Sequence, residues 1–485
     1  MHVAQSLATL RLDPAASAPM FRQLYQGIRG AILAGGLPPG TRLPPTRELA
    51  VLVGVSRQTV LNAYEQLTAE GYLAGTVGRG TFVSEHLPAG RPNTARNPDK
   101  PLRPLSARGQ AFVGPRASLT YHDCAHRVFR TGMPGLDVFP FAIWAKLEAR
   151  HWRRRECEFG YGDPAGYRPL REAVATYLST SRGVHCAPEQ VLITSGSQQA
   201  LYLIATLLLA PQDSAWVEEP GYRGINASLR AAQARICPVP VDDEGLVVAH
   251  GARRFPDAKL VYVTPSHQYP LGVTMSLARR LELLAWAAHN KMWVVEDDYD
   301  SEYRYTGPPL ASLQSLDKAG CVLYVGTLSK VLFPGLRLGY LVLPPALVEA
   351  FTQAKAVIDR HSAIVPQATL ADFITGGHFA RHIKRSREAY AERRAVLLDE
   401  LDRHFAAQLD VRSADAGLHL LARFRDKRDD VAVLQAGRAH GIELRVLSQF
   451  YNESSRAPET GLLLGFAPHP PEEIRRGIAV LRKIL

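Results

Sequence analysis

The chain has 485 residues, too many for one compact domain, and its length suggests about three structural units. Hydrophobic residues make up 46% and charged residues 21%, values close to globular averages that exclude a wholly disordered chain. The longest apolar stretch, 201–210, is about half of a bilayer span, and no signal peptide is recognisable after Met1. Five scattered cysteines without a CxxC pair argue against disulfides and structural zinc, so we expect a metal-free protein of the reducing cytoplasm.

The formal net charge of +11 is unevenly distributed along the chain. Residues 86–120 carry a net charge of +5, which indicates a polyanionic partner only weakly because many solvated linkers are basic. The same stretch has six prolines and few aliphatic residues, so it cannot bury enough apolar surface to offset its ordering entropy. We therefore predict a linker at 86–120 between an N-terminal unit at 18–85 and a body at 121–485.

The N-terminal unit has the pattern of three helices followed by a β-hairpin. Apolar residues recur at helical spacing over 21–33. Thr46 is expected to cap a second helix and Ser56 a third, with Gly54 breaking the chain between them. Two short strands, joined by a glycine-rich turn at 75–80, would form a wing. This order predicts a winged helix-turn-helix.

Polar side chains crowd the start of the third helix, where recognition helices contact base edges. Arg, Asn and Gln make bidentate contacts to guanine and adenine, and an arginine at a wing tip reaches a minor groove. A helical docking domain with a solvated polar face would give the same pattern. The candidate DNA-binding residues are Ser56, Arg57, Gln58, Thr59, Asn62 and, at the wing tip, Arg79.

Residues 19–83 resemble the GntR type of DNA-binding domain. The matching segments are LPPTRELA (43–50), GVSRQTV (54–60) and LTAEGYLAGTVGRGTFV (67–83). The resemblance implies that Arg47 and Arg57 contact phosphates and bases of a double-stranded DNA operator. Thr59 and Arg79 would support those contacts.

The body alternates buried strand candidates with amphipathic helices, which predicts a parallel or mixed α/β sheet that binds ligands at the carboxyl ends of its strands. The strand candidates are 191–194, 215–217, 260–264, 292–295 and 322–325.

Four short segments follow such strands, and together they contain the residue types that bind a phosphate group and an aldehyde. Residues 194–200 open a helix, whose N-terminal N–H groups attract an anion, although most such turns are only tight turns. Residues 296–299 offer carboxylates and a phenol, and 218–222 offers an aromatic ring, but alone these would be loop or core residues. Residues 327–340 place Lys330 among hydroxyls and an arginine. A partly desolvated lysine loses its proton readily and forms Schiff bases. The alternative, a basic surface turn, would not require a lysine, hydroxyls and an arginine to lie together.

In this order the segments resemble the fold-type I aminotransferases, an α/β fold with a large and a small domain that binds pyridoxal 5′-phosphate. The matching elements between residues 161 and 340 are TSGSQQAL, EEPGY, PSHQYPLG, EDDYDSEY and TLSKVLFPGLRLGY. The resemblance implies that Lys330 holds the cofactor covalently. Asp297 would pair with the pyridine nitrogen, with Asp298 as the alternative. Tyr222 would stack on the ring and Tyr299 would bind its oxygen. The phosphate would contact Ser195, Gly196, Ser197, Gln198, Thr327 and Arg337.

A GntR-like unit joined to an aminotransferase-like body resembles the MocR-type transcriptional regulators, over about residues 19–485. Family members act as dimers, which we expect to be head-to-tail, and their bodies sense a small amine, an amino acid or the vitamer. By the same resemblance residues 161–164 line the site, from a second subunit. The leading hypothesis is therefore a pyridoxal phosphate-dependent regulator.

Two departures from true aminotransferases bear on this choice. The usual Asn-Pro-x-Gly element reads Tyr269-Pro270-Leu271-Gly272 after His267 and Gln268, a form that the regulators share. The arginine that usually binds a substrate carboxylate near the C-terminus is replaced by leucine within 462–466, and Arg223 or Arg445 could substitute for it. An effector with a carboxylate, one without it and the vitamer itself all remain open. The alternatives are a genuine aminotransferase with an accessory DNA-binding domain and a scaffold that binds no cofactor.

Overall fold

A computed structural model of the protein divides into two compact units, Met1–Arg103 and Pro104–Leu485, which we describe separately. None of the helices that it describes combines the length and apolarity of a membrane span. The described residues are 7, 10, 12–76, 80–87, 104–113, 127–153, 160–307, 310–412, 415–426, 428–452, 455 and 458–485.

Among its described residues, the first unit has three helices with defined bounds and an antiparallel hairpin. Its core is built from the inward faces of the helices, which include Leu24, Ile28, Val60 and Leu67. The elements are α1 (Met20–Leu33), α2 (Thr46–Val53), α3 (Arg57–Ala69), β1 (Leu73–Thr76) and β2 (Gly80–Val83).

The caps of the helix-turn-helix differ in part from the sequence prediction. Ser56 caps α3 as predicted, since its side chain accepts a hydrogen bond from the Thr59 N–H at 3.1 Å. Thr46 was expected to cap α2, but it is the first residue of that helix and Pro45 holds the cap position. The Thr46 hydroxyl instead lies 3.5 Å from Nε of Arg57. Gly54 ends α2 with a φ of 69°, a left-handed conformation that favours glycine.

The second unit contains a large and a small sheet with helices around them. Its helices are α4 (Ala107–Val113), α5 (Phe141–Arg153), α6 (Arg168–Arg182), α7 (Ser197–Leu208), α8 (Arg223–Ala231), α9 (Val248–Arg254), α10 (Leu277–Asn290), α11 (Leu313–Leu316), α12 (Val348–Asp359), α13 (Ile364–Thr375), α14 (His378–Phe405), α15 (Asp430–Ala439) and α16 (Pro471–Leu481). Its strands are β3 (Val191–Thr194), β4 (Ser214–Glu219), β5 (Arg235–Asp242), β6 (Gly245–Leu246), β7 (Leu260–Val263), β8 (Trp293–Asp298), β9 (Val322–Thr327), β10 (Gly339–Val342), β11 (Leu409–Arg412), β12 (His419–Phe424), β13 (Arg445–Val446) and β14 (Gly461–Gly465).

The large sheet has eight strands in the order β3-β10-β9-β8-β7-β4-β5-β6. Strand β10 runs antiparallel to both of its neighbours, whereas β9, β8, β7, β4 and β5 run parallel to one another. The carboxyl ends of β3 and β9 therefore lie at the same edge, one on each side of β10. The small sheet is antiparallel, in the order β11-β12-β14-β13.

Both faces of the large sheet are buried, because successive side chains of a strand point to opposite faces. Val191 and Ile193 of β3 pack into one cluster with Leu370 of α13, and Leu192 between them packs into another with Phe351 of α12. This explains why the strands read as continuous apolar runs in the sequence.

Two element boundaries differ from the sequence predictions in ways that matter for the site. Strands β8 and β9 run on to Asp298 and Thr327, so the acids and Thr327 are the last residues of buried strands rather than loop residues. In the region predicted as a linker, most of the chain lies outside the described residues, but 107–113 form α4. Its Phe112 ring packs edge-on against Tyr202, with ring centroids 6.3 Å apart, a contact that composition does not reveal.

Candidate cofactor site and DNA-binding face

The turn between β3 and α7 is held by close packing of backbone against backbone. Gly339 of β10 pairs with Thr194 on one side and with Thr327 on the other, so the three residues form one row across the carboxyl edge. A side-chain carbon on Gly339 would lie 3.0 Å from the backbone of Gly196 and 2.9 Å from the Gly326 oxygen. Only glycine fits there, and the packing fixes the turn that opens α7.

The edge of this turn carries polar groups that the protein itself does not use. Arg337 lies beside Gly196: a side-chain carbon on that glycine would lie 3.8 Å from the Arg337 guanidinium. Arg337 is exposed, and within the described chain its guanidinium makes no hydrogen bond or ion pair. The Ser197 hydroxyl likewise has no partner there, at the N-terminus of a 12-residue helix. A guanidinium and helix N–H groups together suit an anion such as phosphate.

Other predicted phosphate ligands are engaged within the protein. The Gln198 amide donates to the Gly224 oxygen and to Ser228 Oγ, both at 3.0 Å, and accepts from the Tyr222 hydroxyl at 3.4 Å. The buried Thr327 hydroxyl accepts from the Ser329 N–H at 3.3 Å. Gln198 therefore positions Tyr222, and its backbone N–H is the group left for an anion.

The two adjacent acids of β8 have different surroundings. Buried Asp298 accepts hydrogen bonds at Oδ2 from the Arg182 guanidinium at 2.8 Å and from the Tyr324 hydroxyl at 2.5 Å. Buried Asp297 accepts at Oδ2 from the Tyr262 hydroxyl at 2.7 Å. In each acid Oδ1 has no hydrogen-bond partner among the described residues. The charge of Asp298 is thus balanced by Arg182, whereas no arginine or lysine of the described residues forms an ion pair with Asp297.

The consequence is a raised proton affinity at Asp297. Burial raises the pKa of its carboxyl to about 7, and the negative charge of Asp298 adds to the effect. The hydrogen bond from Tyr262 and the positive charge of Lys330 act in the opposite direction. A buried carboxylate with one free oxygen can hold a protonated ring nitrogen.

Lys330 follows β9 and points towards the segment before α5. Its Nζ donates to the Gly132 oxygen at 2.7 Å. Burial, together with the positive charge of Arg445, lowers the pKa of Lys330 to about 8, although the charges of Asp300 and Asp297 oppose this. About a tenth of the amine is therefore unprotonated at pH 7, and this fraction can act as a nucleophile.

Tyr299 lies in a small polar cluster with His267 and Asp300. The Tyr299 hydroxyl and Asp300 Oδ2 both lie close to Nδ1 of His267, at 2.9 and 3.0 Å. When that nitrogen carries its hydrogen and donates it to the Asp300 carboxylate, the hydroxyl hydrogen of Tyr299 is available to another acceptor. This arrangement suits the predicted contact of Tyr299 with a ring oxygen.

The segment that the sequence analysis aligns with the carboxylate-binding arginine is apolar. Leu462, Leu463 and Leu464 are fully buried in β14. Arg445 of the neighbouring strand β13 pairs directly with Leu463. Arg223 donates to the backbone oxygens of Gln449 at 3.2 Å and Tyr451 at 2.7 Å, so its guanidinium is already engaged.

In the first unit, the predicted DNA-binding side chains lie at the starts of α2 and α3. Arg47 and Arg57 are exposed, and Gln58 donates to the Asn62 side chain at 2.8 Å, which holds both amides on one side of α3. Arg79 at the wing tip lies outside the described residues.

Sequence reasoning missed several groups that define the site. Tyr262 and Gly132 contact Asp297 and Lys330 but come from an apolar strand and from an irregular segment. Arg182 ends α6, 116 residues before Asp298, its partner. Of these residues, only Tyr262 could have been noticed in the sequence, because it is a polar residue within the apolar run of β7.

Comparisons with known proteins agree with both units. The family model for bacterial regulatory proteins of the gntR family matches residues 21–83, and that for aminotransferase class I and II matches residues 134–481. The probable rhizopine catabolism regulatory protein MocR of Rhizobium meliloti is 42% identical over 98% of this chain and 95% of its own. The pyridoxine biosynthesis transcriptional regulator PdxR of Corynebacterium glutamicum is 31% identical over 96% of each chain. The kynurenine aminotransferase of Pyrococcus horikoshii, solved as a crystal structure, superposes with a TM-score of 0.69 at 29% identity, over 74% of this chain and 91% of that one.

We predict that Asp297→Asn stabilises the cofactor-free protein at alkaline pH. Because burial raises its pKa, the folded state favours the protonated carboxyl, and the free energy of unfolding falls as pH rises from the ordinary pKa of 3.8 to about 7. An amide removes this loss, so the melting temperature should rise by about 2–4 °C at pH 8 and less at pH 5. Asp298→Asn is the control: it breaks a buried ion pair and should lower the melting temperature at both pH values. An equal effect of Asp297→Asn at pH 5 and pH 8 would contradict the prediction.

Proposed function

This chain belongs to the MocR-type transcriptional regulators, and from that premise we propose that it binds pyridoxal 5′-phosphate at Lys330 and couples an effector there to DNA binding. The single observation that carries the proposal is the arrangement, at the carboxyl edge of the large sheet, of a buried carboxylate, a lysine of lowered pKa and an arginine whose side chain is unused, supplied by Asp297, Lys330 and Arg337. The matches at 21–83 and 134–481 support the domain limits 18–85 and 121–485, with a linker between them.

The residues present fit the cofactor. Asp297 has a buried oxygen to pair with a pyridine nitrogen, and Tyr222 is positioned by Gln198 to lie against the ring. The phosphate would be held by Arg337 and by the turn at 195–198, beside Thr327. Tyr299 would donate to the ring oxygen. The cofactor supplies an aldehyde and an electron-withdrawing ring, while the chain supplies orientation and charge.

The buried charges have defined tasks in this proposal. Asp297 would hold the proton of the ring nitrogen, because a cation there balances a carboxylate that otherwise lacks one. Lys330 would present an unprotonated amine for covalent attachment and could take up or release a proton when an effector amine replaces it. This chemistry is compatible with a single transamination half-reaction and does not require steady turnover. We therefore propose that the protein acts in the cytoplasm as a sensor and not as a metabolic enzyme.

We propose that the effector is a primary amine whose anionic group contacts Arg445. The names of relatives refer to compounds as different as rhizopine and pyridoxine, so the effector is set by each chain's own site. Here Arg445 pairs with Leu463 at the place of the missing arginine, and its charge reaches Lys330. Arg223 is the second candidate, because Arg445 is the arginine whose charge lowers the pKa of Lys330.

We further propose that a second copy of the chain covers the face formed by Tyr161 and the outer side of α12, giving a head-to-tail homodimer. Tyr161 is 84% exposed and Val357 88% exposed, with Ile358 exposed next to it. The Arg360 guanidinium lies 4.8 Å from the centre of the Tyr161 ring, which leaves the other side of that ring for a partner. A dimer would bring two DNA-binding units to two half-sites.

The test of cofactor binding is covalent trapping at Lys330. Purified protein mixed with pyridoxal 5′-phosphate should gain a visible absorption band that borohydride removes, leaving the label on the peptide with Lys330. Because its pKa is about 8, the attachment rate should rise about tenfold from pH 6 to pH 7 and less than about twofold above pH 8. Lys330→Ala should lack the label, whereas Lys384→Ala, an exposed lysine, should keep it. Absence of a band with intact Lys330 would mean that the body senses something else.

DNA binding is tested at Arg57 with a duplex selected by the protein from random sequences. Arg57→Ala should weaken binding to this duplex at least about tenfold and reduce the discrimination against other duplexes, since a base contact is lost. Arg22→Ala, an exposed arginine on α1, should change affinity much less. Binding isotherms at several salt concentrations measure both effects. Loss of cofactor binding in Arg57→Ala would instead indicate misfolding.

The effector proposal is tested by spectral titration with amino acids and with the amines that they give on decarboxylation. Arg445→Met should weaken binding of the responsive amino acid by about tenfold or more relative to its amine, because a charge-assisted hydrogen bond is lost, while its effect on Lys330 is common to both ligands. Arg223→Met should have the smaller effect. If the amines shift the spectrum as well as the amino acids in the unsubstituted protein, an anion-reading role for Arg445 is wrong.

A further inference from the structure

The turn that would hold the phosphate is tied to α12 by a chain of side chains. The backbone N–H of Ser195 donates to Oε1 of Gln199 at 2.7 Å. Nε2 of the same amide donates to Oδ2 of Asp359, the last residue of α12, at 2.8 Å. The two bonds fix the orientation of the amide, because its nitrogen faces Asp359 and its oxygen faces the turn.

The chain ends in a buried cation. Nζ of Lys355 donates to Oδ1 of Asp359 at 2.9 Å, and the Lys355 side chain has no exposed surface. A lysine is rarely buried in full, because removal of an ammonium from water is costly unless it is paired. Here Lys355 balances the negative charge of Asp359, which Gln199 links to the phosphate turn. About three quarters of the Asp359 side chain is buried.

This arrangement determines which groups of the turn can meet an anion. The backbone N–H of Ser195 already donates to Gln199, so it is not available to the phosphate, which the sequence analysis expected Ser195 to contact. The N–H groups of Ser197 and Gln198 and the guanidinium of Arg337 remain. Without Gln199, the N–H of Ser195 would lose its partner and the turn would lose a restraint at the point where it leaves β3.

We propose that Gln199, Asp359 and Lys355 are positioning residues that preset the phosphate-binding turn and keep uncompensated negative charge away from it. The inference rests on the proposed function, since the phosphate is that of pyridoxal 5′-phosphate. Gln199 restrains the turn, Asp359 orients Gln199, and Lys355 neutralises Asp359. None of the three touches the cofactor in this scheme.

The experiment measures phosphate recognition separately from attachment at Lys330. Apparent dissociation constants are measured for pyridoxal and for pyridoxal 5′-phosphate, and the value for pyridoxal divided by that for its phosphate reports what the phosphate contributes. Gln199→Met should lower this ratio about tenfold, since it removes the hydrogen bond from the Ser195 N–H and the bond to Asp359 that orients the amide. Binding of pyridoxal should stay within about twofold of the unsubstituted protein. A general loss of structure would weaken both ligands together.

Gln190→Met is the matched control, because the Gln190 amide also makes two hydrogen bonds, both to backbone atoms, at the other end of β3. Its Nε2 donates to the Leu343 oxygen at 2.8 Å and its Oε1 accepts from the Ala187 N–H at 3.0 Å. This substitution should leave the ratio unchanged. An unchanged ratio in Gln199→Met, or an equal fall in Gln190→Met, would overturn the proposal.

The role of charge is tested with a second pair of variants. Lys355→Met leaves Asp359 negative without its cation and should lower the ratio by more than Gln199→Met. Adding Asp359→Asn removes that charge, and the amide oxygen can still accept from Gln199, so the double variant should regain most of the ratio. A double variant no better than Lys355→Met would contradict the scheme, and melting temperatures show whether each variant is folded.

Failure of this inference is distinguishable from failure of the proposed function. If the unsubstituted protein binds neither pyridoxal nor its phosphate, the proposed function is wrong and the inference falls with it. If it prefers the phosphate and Gln199→Met keeps that preference, the proposed function stands and only the inference is overturned.

Discussion

The candidate cofactor site depends on the close approach of three backbones at the carboxyl edge of the large sheet. Because β10 runs against its neighbours, Gly339 lies between the ends of β3 and β9, where even one added carbon would clash with Gly196 and Gly326. This contact brings together segments that are more than 130 residues apart, the turn before α7 and the loop that carries Lys330 and Arg337. The chemistry of the site follows from this packing, since neither segment alone can hold both a phosphate and an aldehyde.

The site concentrates charges that work against folding. Burial raises the pKa of Asp297 to about 7 and lowers that of Lys330 to about 8, so each group is held in surroundings that disfavour its charged form. Asp298 and Lys355, by contrast, are paired with Arg182 and Asp359. The unpaired groups are those proposed to meet the cofactor, and the paired ones support the frame. This division is expected where a binding site is built at the expense of stability.

The order of motifs in the sequence was sufficient to predict both folds, because close packing leaves a recognisable pattern of glycines and strand ends. The side chains that join distant elements could not be predicted. Gln199 and Asp359 are 160 residues apart, and no local pattern marks them as partners. The cap of α2 was predicted wrongly at Thr46, since Pro45 already fixes the backbone before the helix. The sequence therefore predicts which residue types lie at the strand ends, but it does not predict which side chains from distant elements form hydrogen bonds with each other.

The same frame gives a physical route from the cofactor to the rest of the second unit. The backbone oxygen of Val331, next to Lys330, lies 2.8 Å from Nε2 of His382 on α14 and accepts from the Tyr303 hydroxyl at 3.3 Å. Helix α12 carries Asp359 towards the phosphate turn and exposes Val357. In the proposed function, an effector that displaced Lys330 would alter these contacts. Such an effector would shift the equilibrium between two arrangements of the protein only by the difference in its affinity for them, so the proposed regulation requires that Lys330 and the phosphate turn differ between the two arrangements.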